Sequence, residues 1–96
     1  MTLERYAFHN RLRLLLGLQS MAFTDEDLAR IADRYRPYAG KERWDVRQYA
    51  GRTGIGTREF RVMRGKRVED VYCSTQRDLA EAVGAALNAL EAEDMH

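Results

Sequence analysis

Cysteine and histidine, the residues that most often bind metal ions or act as nucleophiles and bases, are scarce in this sequence. Cys73 is the only cysteine among 96 residues, and His9 and His96 are the only histidines. A single cysteine cannot form a disulfide within the chain, and the usual zinc sites of thiolates and imidazoles lack their ligands. We therefore expect neither a disulfide framework nor a metal site, and no cofactor.

Long apolar stretches are also absent. The apolar run from Leu14 to Leu18 is interrupted by Gly17. A membrane span needs about 20 apolar residues, and a secretory signal needs a longer apolar core followed by small residues. Together with the single cysteine, this pattern favours a cytoplasmic chain that has no membrane partner.

Length and composition predict one small globular domain. The chain is 45% apolar and 32% charged, which is the composition of a folded protein and not of a disordered or collagenous one. Two cores of ordinary size do not fit into 96 residues, so we expect a single domain over residues 1–96.

The net charge of +1 conceals two segments of opposite charge. Residues 41–69 hold nine basic and four acidic residues, whereas residues 70–96 hold one basic and six acidic residues. The two segments either neutralise each other within the fold or form separate patches. The sequence leaves both alternatives open.

The first helix of a predicted helical hairpin over residues 2–39 begins at Thr2 and ends near Leu18. At 100° per residue its apolar residues cover more than half of the circumference. That face is wider than the face of an ordinary surface helix. We expect this helix either to be packed on two sides or to meet another chain.

The second helix of the hairpin has a clear start and a clear end in the sequence. Thr24, followed by Asp25 to Asp27, has the pattern of a capping box with acidic residues at the positive end of the helix dipole. Pro37 and Gly40 are expected to end the helix.

After the hairpin the apolar period changes to two, which is typical of strands. Alternating apolar residues mark strands around Trp44, around Val62 and over residues 68–73, so an antiparallel sheet is expected over residues 43–73. A β-bulge is expected near Glu69, because an inserted residue there brings both valines of the third strand into the core.

The C-terminal helix is predicted over residues 75–91. Thr75, with Asp78 three residues later, has the pattern of a helix start, and apolar residues recur from Leu79 to Leu90. The resulting order, ααβββα, is an α+β fold in which helices cover a small three-stranded antiparallel sheet.

Catalytic patterns are weak in this chain. The glycine-rich loop over residues 51–57 lacks the Gly-Lys-Ser/Thr ending of a P-loop and leads into a strand, so we interpret it as a connection. A nuclease-like cluster would require Asp45, Glu59 and Lys66 to converge, yet the expected Glu-x-Lys reads Glu59-Phe60-Arg61. We therefore expect a protein that is not an enzyme.

Two surfaces are candidates for binding a partner. The polar face of the first helix is formed by Tyr6, His9, Asn10 and Arg13, with His9 expected in solvent. The basic sheet and turn carry Arg43, Arg47, Arg61, Arg64 and Lys66. On this second surface Arg61 is expected to pair across the hairpin with Glu69 or Asp70.

The C-terminal half contains five different short motifs: Trp44-x-Val46, Phe60-x-Val62, Gly65-x-Arg67-Val68, Val71-Tyr72-Cys73 and Ala82-Val83-x-x-Ala86-Leu87-Asn88. In these motifs, which cover about half of the chain, the sequence resembles small open reading frames of phages and mobile elements. That group includes inhibitors of host defence such as anti-CRISPR proteins, which cover a surface on a larger complex. The resemblance implies a protein partner and assigns no individual functional residue.

The sequence therefore favours a non-catalytic module that binds a host or cognate protein complex or forms a homodimer through its N-terminal helix. The alternative is a nucleic-acid-binding protein that uses the basic face of the sheet. A dedicated nucleic-acid binder normally has a pI above about 9, whereas the pI here is 7.9. We therefore rank nucleic-acid binding second.

Overall fold

A computed structural model of the chain describes residues 3–36, 42–50, 56–65 and 70–94. Its elements, in chain order, are α1 (Leu3–Leu16), a short 3₁₀ helix (Gly17–Ala22), α2 (Asp25–Arg34), β1 (Asp45–Ala50), β2 (Arg58–Met63), β3 (Tyr72–Ser74) and α3 (Arg77–Asp94). The three strands form one antiparallel sheet in the order β1-β2-β3. The predicted α+β fold is confirmed.

The connection between α1 and α2 is more ordered than a simple loop. Gly17 has a φ of +61°, a left-handed conformation that glycine adopts readily, and it ends α1 two residues before the predicted end. The 3₁₀ helix then leads to Thr24, whose hydroxyl accepts the Asp27 amide at 3.1 Å. The Asp27 carboxylate in turn accepts the Thr24 amide at 3.0 Å, so the predicted capping box is confirmed.

Helix α2 ends at Arg34, earlier than expected, and Tyr35 already has an extended backbone. Proline disfavours helical backbone at the residue before it, which is Arg36. The Arg36 guanidinium donates to the carbonyls of Asp33 at 2.6 Å and Tyr35 at 2.8 Å, and so pairs carbonyls at the helix end. The predicted stop signals Pro37 and Gly40 lie outside the described residues.

In the sheet, Val62 of the central strand pairs with Val46 on one side and with Tyr72 on the other. The Val71 amide also donates to the Val62 carbonyl at 3.0 Å. Two consecutive residues thus lie opposite one, which is the arrangement of a β-bulge, and Val71 is buried. The bulge predicted near Glu69 falls on residues outside the described ranges.

Helix α3 begins and ends later than predicted. Its N-terminus follows Ser74, whose hydroxyl accepts the Gln76 amide at 3.0 Å, and the helix starts at Arg77, so the prediction that Thr75 starts it is wrong. Its last turn extends past residue 91. In that turn Glu91 forms an ion pair with Arg64, the residue after β2, and Glu93 forms one with Arg11 of α1. These pairs hold the end of the helix against the rest of the fold.

The core lies where α3 packs between the sheet and the hairpin. The largest fully buried side chains come from four of the elements: Leu12, Leu28, Ile31, Val62, Val83 and Leu87. No helix within the described ranges is both long and apolar enough to cross a membrane.

Candidate interaction surface

Four large apolar side chains of the N-terminal region lie in solvent. The exposed fractions are 57% for Tyr6, 72% for Leu14, 91% for Leu18 and 88% for Met21. Tyr6 and Leu14 belong to α1, and the other two belong to the 3₁₀ helix. We call these four residues the apolar ridge.

The apolar ridge exists because α1 buries only one part of its wide apolar face. Leu12 and Leu16 are 0% and 5% exposed and pack into the core. Leu14 is two residues from each of them, and therefore about 200° away around the helix. The wide apolar face allowed α1 to pack on two sides. Within the described residues α1 packs on one side only, so part of its apolar face remains exposed to solvent.

A shallow, open groove at the junction of α1 and the 3₁₀ helix includes Leu14 of the apolar ridge. It is lined by Asn10, Arg13, Leu14, Gly17 and Ser20. The Arg13 guanidinium forms one wall: it donates to the Ser20 carbonyl at 3.3 Å and to the Asp25 carboxylate at 2.5 Å. This hydrogen bond and the charge of Arg13 lower the pKa of Asp25 below its ordinary value.

The structure corrects one residue of the predicted helix surface. His9 was expected in solvent but is 8% exposed. It lies three and seven residues before Leu12 and Leu16, on the same side of α1 as those core residues. Its Nε2 atom is buried and has no hydrogen-bond partner among the described residues. Tyr6 and Asn10 are exposed and Arg13 is partly exposed.

Arg61, on the face of the sheet away from α3, is not paired as predicted. It lies opposite Arg47 on β1 and Cys73 on β3. Its guanidinium pairs with Glu59 of the same strand at 2.9 Å and lies 4.3 Å from the centre of the Tyr49 ring. The expected cross-hairpin pair of Arg61 with Asp70 is therefore wrong, and the alternative partner Glu69 lies outside the described residues. The hydrogen bond that Arg61 donates to the Glu59 carboxylate raises the pKa of Arg61.

Arg47 is also engaged within the fold. It contacts Asp45 at 3.2 Å and donates to the Gly65 carbonyl at 2.6 Å, which leaves its side chain 32% exposed. Arg43 is exposed just before β1. Lys66 lies outside the described residues.

Arg64, predicted on the solvent-facing basic surface, is 5% exposed. Its guanidinium contacts both carboxylate oxygens of Glu91 at 2.7 Å, lies 3.9 Å from the Trp44 ring centre, and donates to the Arg36 carbonyl at 3.1 Å. Trp44 Nε1 at 2.8 Å and the Tyr35 hydroxyl at 3.3 Å also donate to Glu91. Arg64, Glu91, Trp44 and Tyr35 thus form a partly buried cluster of hydrogen-bonded side chains, which we call the interior hub.

These pairs settle part of the charge question that the sequence left open. Arg64 and Glu91 join the basic segment to the acidic one, whereas Arg47 and Arg61 are neutralised by acids within the basic segment. At the positions of Arg47, Arg61 and Arg64, the basic surface therefore does not present unpaired cations.

The described residues do not assemble the reactive clusters considered above. Asp45 pairs with Met63, which is four residues from Glu59 along β2, so the backbone positions of the two acidic residues are about 13 Å apart along the strands. Partial desolvation, together with Glu59 and Asp70, raises the pKa of the Cys73 thiol, so it is protonated at neutral pH. Within the same ranges, no group of three or more acidic, histidine or cysteine side chains is placed to hold a metal ion.

Sequence analysis missed two parts of the site. Leu18 and Met21 lie at and beyond the predicted end of the first helix, and the left-handed Gly17 separates them from α1, so the helical periodicity of α1 does not extend to them. No local sequence pattern could indicate the ion pair of Arg64, because its partner Glu91 is 27 residues further along the chain.

Comparisons with protein-family models, with curated proteins and with solved structures give no match for this chain.

Proposed function

We propose that this protein is a non-catalytic interaction module that binds another protein through the apolar ridge and the adjacent groove. The observation that carries this proposal is the exposure of Leu14, Leu18 and Met21, at 72%, 91% and 88%. Clustered exposed apolar side chains with a polar rim are typical of protein-binding surfaces.

The energetics of burial support a protein partner. Covering one large apolar side chain contributes about 1.5–3 kcal/mol, so a partner that covers the ridge gains several times that amount before the cost of association. The groove provides orientation, because the Arg13 guanidinium and the Asn10 amide lie at its edge. A polar edge around an apolar centre is the usual anatomy of an interface.

The nucleic-acid alternative has less support. Phosphate binding depends on accessible cations, and Arg47, Arg61 and Arg64 all have carboxylate partners at 3.2 Å or less. We therefore keep the protein partner as the proposed function.

The resemblance to phage and mobile-element reading frames suggests a use for such binding. We propose that the module acts in the cytoplasm by covering a surface of a host complex, as inhibitors of host defence do. This use follows from the resemblance and not from the geometry of the ridge.

Site-specific photocrosslinking tests the proposed function. Benzoylphenylalanine replaces Leu14 in the ridge, or Glu81 on the exposed side of α3 as a control, in cells that express the chain. We expect protein adducts from position 14 only, resistant to nuclease and strongly reduced by Leu18→Glu. If position 14 gives no protein adduct, or gives only adducts that nuclease removes, the proposal is wrong.

A further inference from the structure

The outer edge of β1 presents a row of backbone hydrogen-bonding groups. In an antiparallel sheet, consecutive residues of a strand direct their N–H and C=O groups alternately to one side and to the other. The Val62 carbonyl accepts the Val71 amide, so Val62 faces β3 and Arg61, next to it, faces β1. Arg47, the β1 partner of Arg61, therefore faces β2, and the residues on either side of Arg47 face away from the sheet.

The side chain of Asn88 on α3 supports the same alternation. Its amide accepts the Trp44 N–H at 2.8 Å and donates to the Trp44 carbonyl at 3.0 Å, as the backbone of a neighbouring strand would. Trp44 thus faces outward, and by alternation Val46, Gln48 and Ala50 do so as well. No described residue forms a backbone hydrogen bond to the outward groups of these three residues. We call Val46, Gln48 and Ala50 the open edge.

The open edge fits an extended polypeptide. Its N–H and C=O groups recur at every second residue, about 7 Å apart, and a polypeptide in the strand conformation presents matching groups at that spacing. Gln48 and Ala50 are exposed, so a strand can approach. The opposite edge of the sheet, β3, has only three residues and offers a much shorter row.

The cations around the open edge favour an acidic segment. Arg43 precedes β1, Arg58 lies opposite Ala50 on β2, and the Arg77 guanidinium donates to the Gln48 side chain at 3.2 Å. Within the described ranges, none of these three arginines forms an ion pair with a carboxylate. A segment that lies along β1 therefore meets uncompensated positive charge at both ends of the strand.

The acidic residues near β1 do not cancel this charge. Asp45 is paired with Arg47, and the side chain of Glu42 lies on the β2 side, beside the turn after β2. Asp78 follows Arg77 at the start of α3, but consecutive residues of a helix point about 100° apart. The open edge therefore has a rim of predominantly one sign.

We propose that the open edge binds an extended acidic segment of another protein, which adds to the sheet as a fourth strand. This surface is separate from the apolar ridge, so the inference goes beyond the proposed function and does not depend on it. A second copy of the chain fits less well. Antiparallel pairing of two β1 strands about a two-fold axis brings the Arg43 end of one copy beside the Arg58 end of the other, and like charges then repel.

NMR titration of the full chain with a peptide of about eight alternating glutamate and valine residues tests the proposal. The amides of Val46, Gln48 and Ala50 should shift and become protected from hydrogen exchange. The amides between them, which already bond to β2, should change much less. Attraction between charges alone would not produce this alternation.

Two changes separate backbone pairing from charge. A fully N-methylated peptide keeps its carboxylates but has no N–H donors, so it should bind about tenfold more weakly. Gln48→Pro removes an outward donor and leaves the bonds to β2 in place, so it should also weaken binding while the NMR spectrum shows an intact sheet.

The arginine rim has a matched control. Arg58→Glu should weaken binding of the unmodified peptide about tenfold. Arg30→Glu makes the same change at an exposed position on α2 and should bind the peptide like the wild type. Leu18→Glu, which alters the apolar ridge, should also bind it like the wild type.

The proposal is overturned if the peptide does not bind at about 1 mM, if the shifts do not alternate, or if the N-methylated peptide binds equally well. A single-stranded oligonucleotide of the same charge that binds more tightly than the peptide would assign the cations to phosphate instead. Alternating shifts that depend on the concentration of the chain alone would assign the edge to a second copy. Each of these outcomes leaves crosslinking from position 14, and with it the proposed function, unaffected.

Discussion

The side chain of Arg64 shows how the fold replaces water around a charge. The Arg64 side chain is 6% exposed and the Glu91 side chain is 19% exposed. The Trp44 ring covers one face of the guanidinium, while Trp44 and Tyr35 both donate to Glu91. A buried ion pair of this kind is costly to break, because the remaining charge has no adequate substitute for water.

Arg64→Met should therefore destabilise the protein strongly. We expect a loss of about 3 kcal/mol in the free energy of unfolding, since Glu91 keeps its charge but loses its cation. Urea unfolding measures this loss. Arg43→Met makes the same change at an exposed position and should alter stability by less than about 0.5 kcal/mol.

The double variant Arg64→Met with Glu91→Leu should recover part of the lost stability, because it removes the unpaired carboxylate as well. If the two single losses simply add in the double variant, Arg64 and Glu91 are not energetically coupled and the interpretation of the hub is wrong.

Asp25 provides a prediction about ionisation. Arg13 holds the pKa of Asp25 below 3.8, so the charged carboxylate stabilises the folded state above that pH, and this contribution is lost as the pH falls through the lowered pKa. Arg13→Gln should return the pKa of Asp25 towards 3.8. Carboxyl NMR titration measures it.

Arg11→Gln is the matched control for Arg13→Gln, because Arg11 pairs with Glu93 on α3 and not with Asp25. It should leave the titration of Asp25 unchanged. An unchanged pKa of Asp25 in Arg13→Gln would contradict the assignment of the shift to this pair.

Among the elements, helix α2 owes its start to a local pair of hydrogen bonds. Thr24→Ala removes the hydroxyl that accepts the Asp27 amide and should cost about 1 kcal/mol in urea unfolding. Thr75→Ala is the same chemical change at an exposed position before α3 and should stay within about 0.5 kcal/mol. Equal losses in the two variants would show that Thr75, not only Thr24, supports a helix start.

The elements that sequence analysis predicted well depend on neighbouring residues. The capping box spans only residues 24–27. The alternation of apolar and polar residues around Val46 and Val62 arises because one face of the sheet is buried. Element ends were less predictable. Helix α2 ends just before the Arg36 side chain, which donates to the carbonyls of Asp33 and Tyr35. Helix α3 continues because Glu91 and Glu93 have ion-pair partners elsewhere in the fold.

The candidate site was less predictable than the fold, for the same reason. A wide apolar face on α1 indicated an unpaired surface but not which half stays open. Packing decided this: the side of α1 that carries Leu12 and Leu16 meets the core, so His9 is buried with it and Leu14 is left in solvent.

For the whole molecule, binding through the apolar ridge would link stability to the concentration of the partner. A protein that binds the folded chain and not the unfolded chain stabilises the folded state by mass action. Each tenfold increase in partner concentration above the dissociation constant should add about 1.4 kcal/mol to the free energy of unfolding. Differential scanning calorimetry with the protein captured from position 14, over two decades of its concentration, measures the resulting rise in Tm.

The variant Leu18→Glu is the control for this measurement. Because Leu18 is 91% exposed, the substitution should leave the free chain about as stable as the wild type. The captured protein should then raise the Tm of Leu18→Glu far less than it raises the Tm of the wild type. Equal rises in the two proteins would contradict binding through the apolar ridge.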